Sequence, residues 1–258
     1  MVNILMYGCN GRMGRRISEM CQHSDEYRIV AGCDLFDQPN GFGYPIFKSI
    51  SEVDVDFDVI IDFSNASIVP VIIEYAVQNK KGLVCCTTGL DDATVNSLID
   101  ASKKIPVFKS ANMSLGMNVL FELVRTATRV LYPECEMEIV EAHHNKKLDA
   151  PSGTAYMIAD IISEETNNEV TYVYDRHDYR KARDHKELGI SAIRGGNIVG
   201  DHDVMFIGDE EILTISHKAQ DRAVFGRGAL NAAKFIADKG PGMYSMQDLT
   251  NEIIAKNI

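Results

Sequence analysis

Five short runs in the first 111 residues constrain the fold most: "VNILMYG" (2–8), "YRIVAGCD" (27–34), "FDVIIDFS" (57–64), "GLVCCTTG" (82–89) and "IPVFKSA" (105–111). Each is apolar almost without interruption rather than alternating. A strand reads this way when both of its faces are buried, so the runs predict a parallel sheet with helices on each side. The intervening segments have helical signals. "RMGRRISEMCQH" places Met13, Ile17 and Met20 on one face. "SIVPVIIEYAVQNK" carries Pro70 in its first turn, where a missing N–H costs little, and "DDATVNSLIDASKK" opens with acids that suit a helix dipole. A long helix over "LGMNVLFELVRTATRVLY" (115–132) then leads out of this unit.

The second half reads differently. "CEMEIVEAHH" predicts a strand and "SGTAYMIADIISEE" an amphipathic helix. The stretch "GISAIRGGNIVGDHDVMFIGDEEILTISHKA" predicts several strands with Gly, Asp and Asn turns and no helical crossover, which gives an antiparallel or mixed sheet. "RAVFGRGALNAAKFIADK" (222–239) is again a helix, and "GPGMYSMQDL" reads as a Gly/Pro loop. The fold class expected is α/β: an N-terminal Rossmann-like parallel sheet with a C-terminal α+β mixed-sheet domain. The expected boundaries are 1–113, completed by 223–258, for a dinucleotide-binding domain, and 114–222 for a substrate-binding domain.

The first run ends in "GCNGRMG", which spaces Gly8, Gly11 and Gly14 as G-x-x-G-x-x-G, between a strand and a helix. Glycines there permit a tight turn, admit a pyrophosphate against the backbone and let helix and strand approach, while the helix start supplies N–H donors. Asp34 closes the second run, placed to accept hydrogen bonds from an adenosine ribose and to repel a 2′-phosphate. Leu35 follows it, with no basic side chain, so NADH is expected to serve at least as well as NADPH. Arg12, inside the loop, has two readings, a phosphate contact or a solvated first-turn arginine.

The other dense feature is "EAHHNKKLDAPSGTA" (141–155). The chain of 258 residues carries a net charge of -11, which argues against a nucleic-acid partner but leaves room for a local basic pocket. His143 and His144 are neighbours on a strand, Lys147 follows, and Ser152, Gly153 and Thr154 read as a helix start whose amides can cradle a carboxylate. The plain alternative is a solvated basic loop before a Ser-capped helix. No metal site is expected, since adjacent histidines diverge and no third ligand is indicated. The six cysteines have no CxxC spacing and fall mostly in buried segments, which suits free thiols and a reducing cytoplasm. The start enters an apolar strand at once, so no signal peptide is expected, and no run of about 20 apolar residues predicts a membrane span.

With these residues in view, the sequence resembles the 4-hydroxy-tetrahydrodipicolinate (dihydrodipicolinate) reductase family over nearly its whole length. "GCNGRMG", "IDFS" (61–64), "CTTG" (86–89), "SANMSLGMNV" (110–119), "HKAQDRAVFGRGAL" and "GPGMYSMQDL" are similar to family motifs. "EAHHNKKLDAPSGTA" matches the family signature E-x-HH-x-x-K-x-D-x-PSGTA at every fixed position. The resemblance implies NADH- or NADPH-dependent reduction of a small dicarboxylate in lysine and diaminopimelate biosynthesis, by a homotetramer built through the second domain. It implies His143 as general acid/base and Lys147 as a second proton donor. His144, Gly153, Thr154 and Arg222 are implied as substrate contacts. Gly8, Gly11, Arg12, Met13, Gly14, Asp34, Cys86, Thr88, Ser110, Ala111, Asn112 and Met113 are implied at the cofactor. Leu35 replaces a basic residue of some members, and Cys86 stands where many have glycine. Two rivals are a semialdehyde dehydrogenase, which needs a catalytic cysteine such as Cys135, and a nucleotide-sensing protein without turnover.

Overall fold

A computed structural model of the chain describes residues 1–36, 38–178 and 180–257. In chain order the elements are β1 (Val2–Tyr7), α1 (Arg12–Cys21), β2 (Tyr27–Cys33), β3 (Ile46–Phe47), β4 (Val59–Asp62), α2 (Val69–Gln78), β5 (Gly82–Cys85), α3 (Asp92–Ser102), β6 (Pro106–Lys109), α4 (Leu115–Leu131) and β7 (Glu136–His143). They continue with α5 (Gly153–Glu165), β8 (Thr171–Val173), β9 (Glu187–Arg194), β10 (Gly200–Ile207), β11 (Ile212–Ala219), α6 (Ala223–Ala237), β12 (Gly242–Tyr244) and α7 (Met246–Asn257). The chain divides into two compact units, Met1–Leu115 with the segment from Ala223 onward, and Gly116–Arg222.

The first unit is a parallel sheet in the order β12-β6-β5-β4-β1-β2-β3. Its strands are apolar throughout because alternate residues feed two cores. Ile4, Met6, Val59, Ile61, Val84 and Phe108 point to the side covered by α1, α6 and α7, where they meet Ile17, Leu230, Ala233, Ile236 and Leu249. Leu5, Ile60, Leu83 and Val107 point to the other side, against Ile72, Ala76 and Leu98 of α2 and α3. Each such side chain gains roughly 1.5–3 kcal/mol on burial. Pro70 sits in the first turn of α2, and Asp91 caps α3 by accepting from the Thr94 amide at 2.8 Å.

The "GPGMYSMQDL" segment corrects the sequence reading. Gly242–Tyr244 is a strand that extends the sheet beside β6, and α7 starts at Met246. Three residues behind a Gly-Pro step carry too little pattern to signal a strand, and a short edge strand tolerates such residues.

The second unit holds a mixed sheet in the order β11-β10-β7-β9-β8. β7 runs antiparallel to β10 and parallel to β9. One face buries Met137, Ile139, Val204, Phe206, Leu188 and Ile190 against Leu120, Phe121 and Val124 of α4 and Ala155, Ile158 and Ile162 of α5. Along β7 that same face continues as Glu141 and His143, and along β10 as His202. The core thus turns polar at one end, where the last two in-phase positions of the central strand meet the start of α5.

Candidate active site

In the first unit the glycines make the tight turn and the close backbone approach that their spacing implies. Gly8 has φ +79°, and a Cβ there would lie 2.5 Å from the Phe63 carbonyl oxygen; one on Gly14 would lie 2.2 Å from the Gly8 carbonyl oxygen. Gly11 is the N-cap of α1, and its amide donates to the Gly8 carbonyl at 3.1 Å. The amides of Gly8 and Cys9 both donate to the Cys33 carbonyl at the end of β2. Asp34 is tied to the same loop, because its Oδ2 accepts from the Asn10 amide at 2.9 Å. Asn10 in turn donates through Nδ2 to the Phe36 and Gln38 carbonyls. The loop, the acid and the turn after it are one hydrogen-bonded piece. These residues fit a dinucleotide.

Arg12 and Thr88 are exposed, and Met13 is half-buried. The "CTTG" loop is braced by Lys109, whose Nζ donates to the Thr87 carbonyl at 2.7 Å. Burial pushes the Cys86 thiol well above its ordinary pKa. In the 110–113 segment, Ser110 Oγ donates to the Asn112 carbonyl, Asn112 Oδ1 accepts from the Ser114 amide, and Ala111 is exposed. The Met113 carbonyl occupies the space a side chain would need at Gly228, which locks this segment to α6.

In the second unit the dense segment is organised around Glu141, which is fully buried. Its carboxylate takes four hydrogen bonds. Arg194 donates through Nη1 and Nη2 at 2.8 and 2.7 Å, the Ser152 amide donates at 3.0 Å, and Oε2 lies 2.6 Å from His143 Nδ1. Burial alone would raise this carboxyl's pKa, but the bonds from Arg194 and His143 outweigh it and hold the group below its ordinary value. The sheet register explains the meeting: Arg194 stands opposite His143 across β9, and His202 opposite Glu141 across β10.

His143 is 9% exposed. Gly200 lies beside its outer nitrogen, and a Cβ there would come within 3.0 Å of Nε2. The His202 ring meets it edge to face with centroids 5.3 Å apart, and His202 Nε2 lies 3.2 Å from Ser152 Oγ. Burial, then the charge of His143, pushes the His202 pKa down to about 4. Ser152 caps α5 by accepting from the Ala155 amide at 3.1 Å. Gly153, the first helical residue, has open space where a side chain would be.

β7 ends at His143, so His144 already lies in the loop. Arg222 Nη2 donates to His144 Nε2 at 3.3 Å, and buried His144 Nδ1 has no hydrogen-bond partner among the described residues. Burial and the positive charges of Arg222, His143, Lys147 and Arg194 all lower the His144 pKa. Lys147 Nζ pairs with Asp149 Oδ2 at 2.9 Å, a contact the sequence reading did not anticipate. Sequence reasoning also missed Glu141, Arg194, His202 and the Ser152 side chain as members of the cluster. The available signal was an acid in phase with the core positions Met137 and Ile139. Cys135, the thiol a semialdehyde dehydrogenase would need, is buried, and burial followed by Glu211 and Glu134 raises its pKa, which disfavours a thiolate nucleophile.

A parallel sheet with a glycine loop after its first strand and an acid after its second, joined to a unit with a buried His–Glu–Arg cluster, defines the nicotinamide-nucleotide class of oxidoreductases. Solved structures agree in fold. The dihydrodipicolinate reductase of Paenisporosarcina sp. TG-14, solved with dipicolinate bound, aligns with a TM-score of 0.79 at 23% identity, over 97% of this chain and 99% of that one. A myo-inositol 2-dehydrogenase from Lactobacillus plantarum aligns at 0.61 with 12% identity, over 99% and 95%.

The family profiles for the N-terminus and C-terminus of dihydrodipicolinate reductase match residues 2–113 and 116–250, and the chain belongs to that family. The 4-hydroxy-tetrahydrodipicolinate reductase of Caldanaerobacter subterraneus subsp. tengcongensis is 46% identical over 98% of this chain and 99% of its own length. That of Clostridium tetani is 44% identical over 97% and 98%.

Proposed function

We infer that this chain reduces 4-hydroxy-tetrahydrodipicolinate to tetrahydrodipicolinate in lysine and diaminopimelate biosynthesis, acting on the unsaturated dicarboxylate imine that forms on loss of water. Near full-length similarity to the reductases supports the reaction. The geometric observation that carries it is the meeting of basic side chains before the start of α5, where Arg222 Nη2 lies 3.3 Å from His144 Nε2 and Lys147 follows in the same loop, in a chain of net charge -11. A cyclic dianion is the ligand such a cluster suits. Arg222, His144 and the first-turn amides of Gly153 and Thr154 hold its carboxylates, and bidentate arginine pairing orients the ring. Lys147 exchanges Asp149 for substrate.

Bound reduced nicotinamide supplies the hydride for ring carbon 4. As negative charge develops on the ring enamine, His143 or Lys147 delivers a proton to ring carbon 3. Gly8, Gly11, Arg12, Met13, Gly14, Asp34, Cys86, Thr88 and the segment Ser110, Ala111, Asn112, Met113 form the cofactor site. Loss of absorbance of NADH on addition of enzymatically generated substrate tests the reading. Tight NADH binding without turnover would instead favour the sensor.

NADH serves at least as well as NADPH. Asp34 is anchored to the glycine loop, and the residues after it, Leu35 and Phe36, are 75% and 69% exposed and carry no charge for a 2′-phosphate. A kcat/KM ratio favouring NADPH about tenfold, roughly 1.4 kcal/mol, would overturn this preference.

The functional state is a homotetramer built through the second unit. β11 is an edge strand, and with α4 it borders an apolar depression of about 570 Å³ lined by Leu123, Val130, Leu131, Leu213 and Ile215. Sedimentation as a monomer at micromolar concentration would overturn it. Free thiols at all six cysteines fit a reducing cytoplasm. No helix among the described residues is long and apolar enough to cross a membrane.

A further inference from the structure

We propose that Glu141 is a positioning residue that fixes the proton donor and the carboxylate cradle relative to each other. The inference rests on the reading of His143 as a donor. One carboxylate reaches both parts: Oε2 holds His143 Nδ1, and Oε1 accepts from the amide of Ser152, the residue that caps α5. Arg194, bidentate on the same carboxylate, keeps it ionised and immobile, and its Nη2 also donates to the Asp149 carbonyl in the loop that carries Lys147.

An ionised carboxylate can only accept, so Nδ1 must bear the hydrogen. Nε2 is then the nitrogen that gains and loses the catalytic proton. Gly200 keeps the space beside Nε2 clear of a side chain. The charged and titratable groups round the ring are Glu141 and His144 on its own segment, Arg194 on β9, His202 on β10 and Lys147 in the following loop. Among them Glu141 is the acid in direct contact, and its negative charge stabilises the imidazolium that donates.

Glu141→Gln keeps the shape and removes the charge. The amide would present N–H to Nδ1 and force the proton to Nε2. The expected result is a kcat lower by about ten- to a hundredfold, the worth of one charge-assisted hydrogen bond. The high-pH limb of the kcat profile should also move down by about one to two pH units. Glu141→Asp retains the charge, so its limb should stay near that of the wild type even where kcat falls. A limb unmoved in Glu141→Gln, or moved equally in both variants, overturns the proposal.

The tautomer of the unmodified protein gives a second readout that needs no turnover and does not depend on either Glu141 variant folding. Side-chain ¹⁵N spectra, with His143 assigned by loss of its signals in His143→Gln, should show Nδ1–H at neutral pH. An Nε2–H tautomer overturns the proposal. A wild-type protein that fails to reduce the substrate sinks the reductase reading, while the ¹⁵N spectrum still judges the positioning.

Discussion

A buried neutral His202 makes the fold acid-sensitive over a defined window, and replacement by glutamine should remove that sensitivity. In the folded chain, burial and then His143 press the His202 pKa from 6.5 to about 4. Between those values the unfolded chain binds a proton that the folded chain refuses. The contribution of neutral His202 is therefore intact above about pH 6.5, falls as pH drops, and is fully lost near pH 4. A gap of about 2.5 pH units at about 1.4 kcal/mol each makes the whole penalty about 3 kcal/mol, of which about 2 is incurred between pH 7 and pH 5. With a urea slope of about 2–3 kcal/mol/M, the wild-type midpoint should lose about 0.7–1 M more than that of His202→Gln over this range. Urea titrations followed by circular dichroism at pH 7, 6 and 5 measure it. Glutamine's lost ring packing adds an offset that does not depend on pH, and other titrating groups are shared by both proteins, so only the divergence matters. Midpoints that run parallel from pH 7 to pH 5 would refute the reasoning.

His143→Gln should lower kcat by about 10²–10⁴ with a modest change in KM, whereas Lys147→Ala should harm both constants, as steady-state kinetics would show. Gly14→Ala places a Cβ against the Gly8 carbonyl and 2.6 Å from Cys9 Cα, so it should cost at least about 2 kcal/mol and abolish nucleotide binding, read by calorimetry and NADH fluorescence. Asp34→Asn should narrow the NADH-over-NADPH preference by about tenfold in kcat/KM, roughly 1.4 kcal/mol. Leu213→Glu, at the apolar edge of the second unit, should yield a smaller species in sedimentation velocity with its helical signal intact.

Most of the first unit was legible because one physical fact, two-sided burial, writes itself into each strand. Val59–Asp62 is continuously apolar for the same reason that Ile60 and Ile61 sit in different cores. β12 was not legible, because its three residues gain their strand character from β6 rather than from their own pattern. In the site, His143, Lys147 and Gly153 drew notice through the density of charge near a helix start. Glu141 did not, since an acid reads as solvent-facing until its phase with Met137 and Ile139 is followed along the strand. Arg194 and His202 reach the cluster through sheet register, and pairing between strands 50 or more residues apart leaves no mark within either segment. The Lys147–Asp149 pair was visible as composition but not as contact.

The second unit is inserted between β6 and α6, and this has a consequence for biosynthesis. During translation the first six strands emerge long before Ala229, Leu230, Ala233 and Ile236, which with α1 and the still later α7 cover one side of their sheet. Until α6 and α7 have emerged, α1 alone covers that side, and a slab of Ile, Val and Met side chains is left open to water. A chain released early, anywhere within the insert, would carry that bare slab permanently and be a substrate for aggregation or proteolysis.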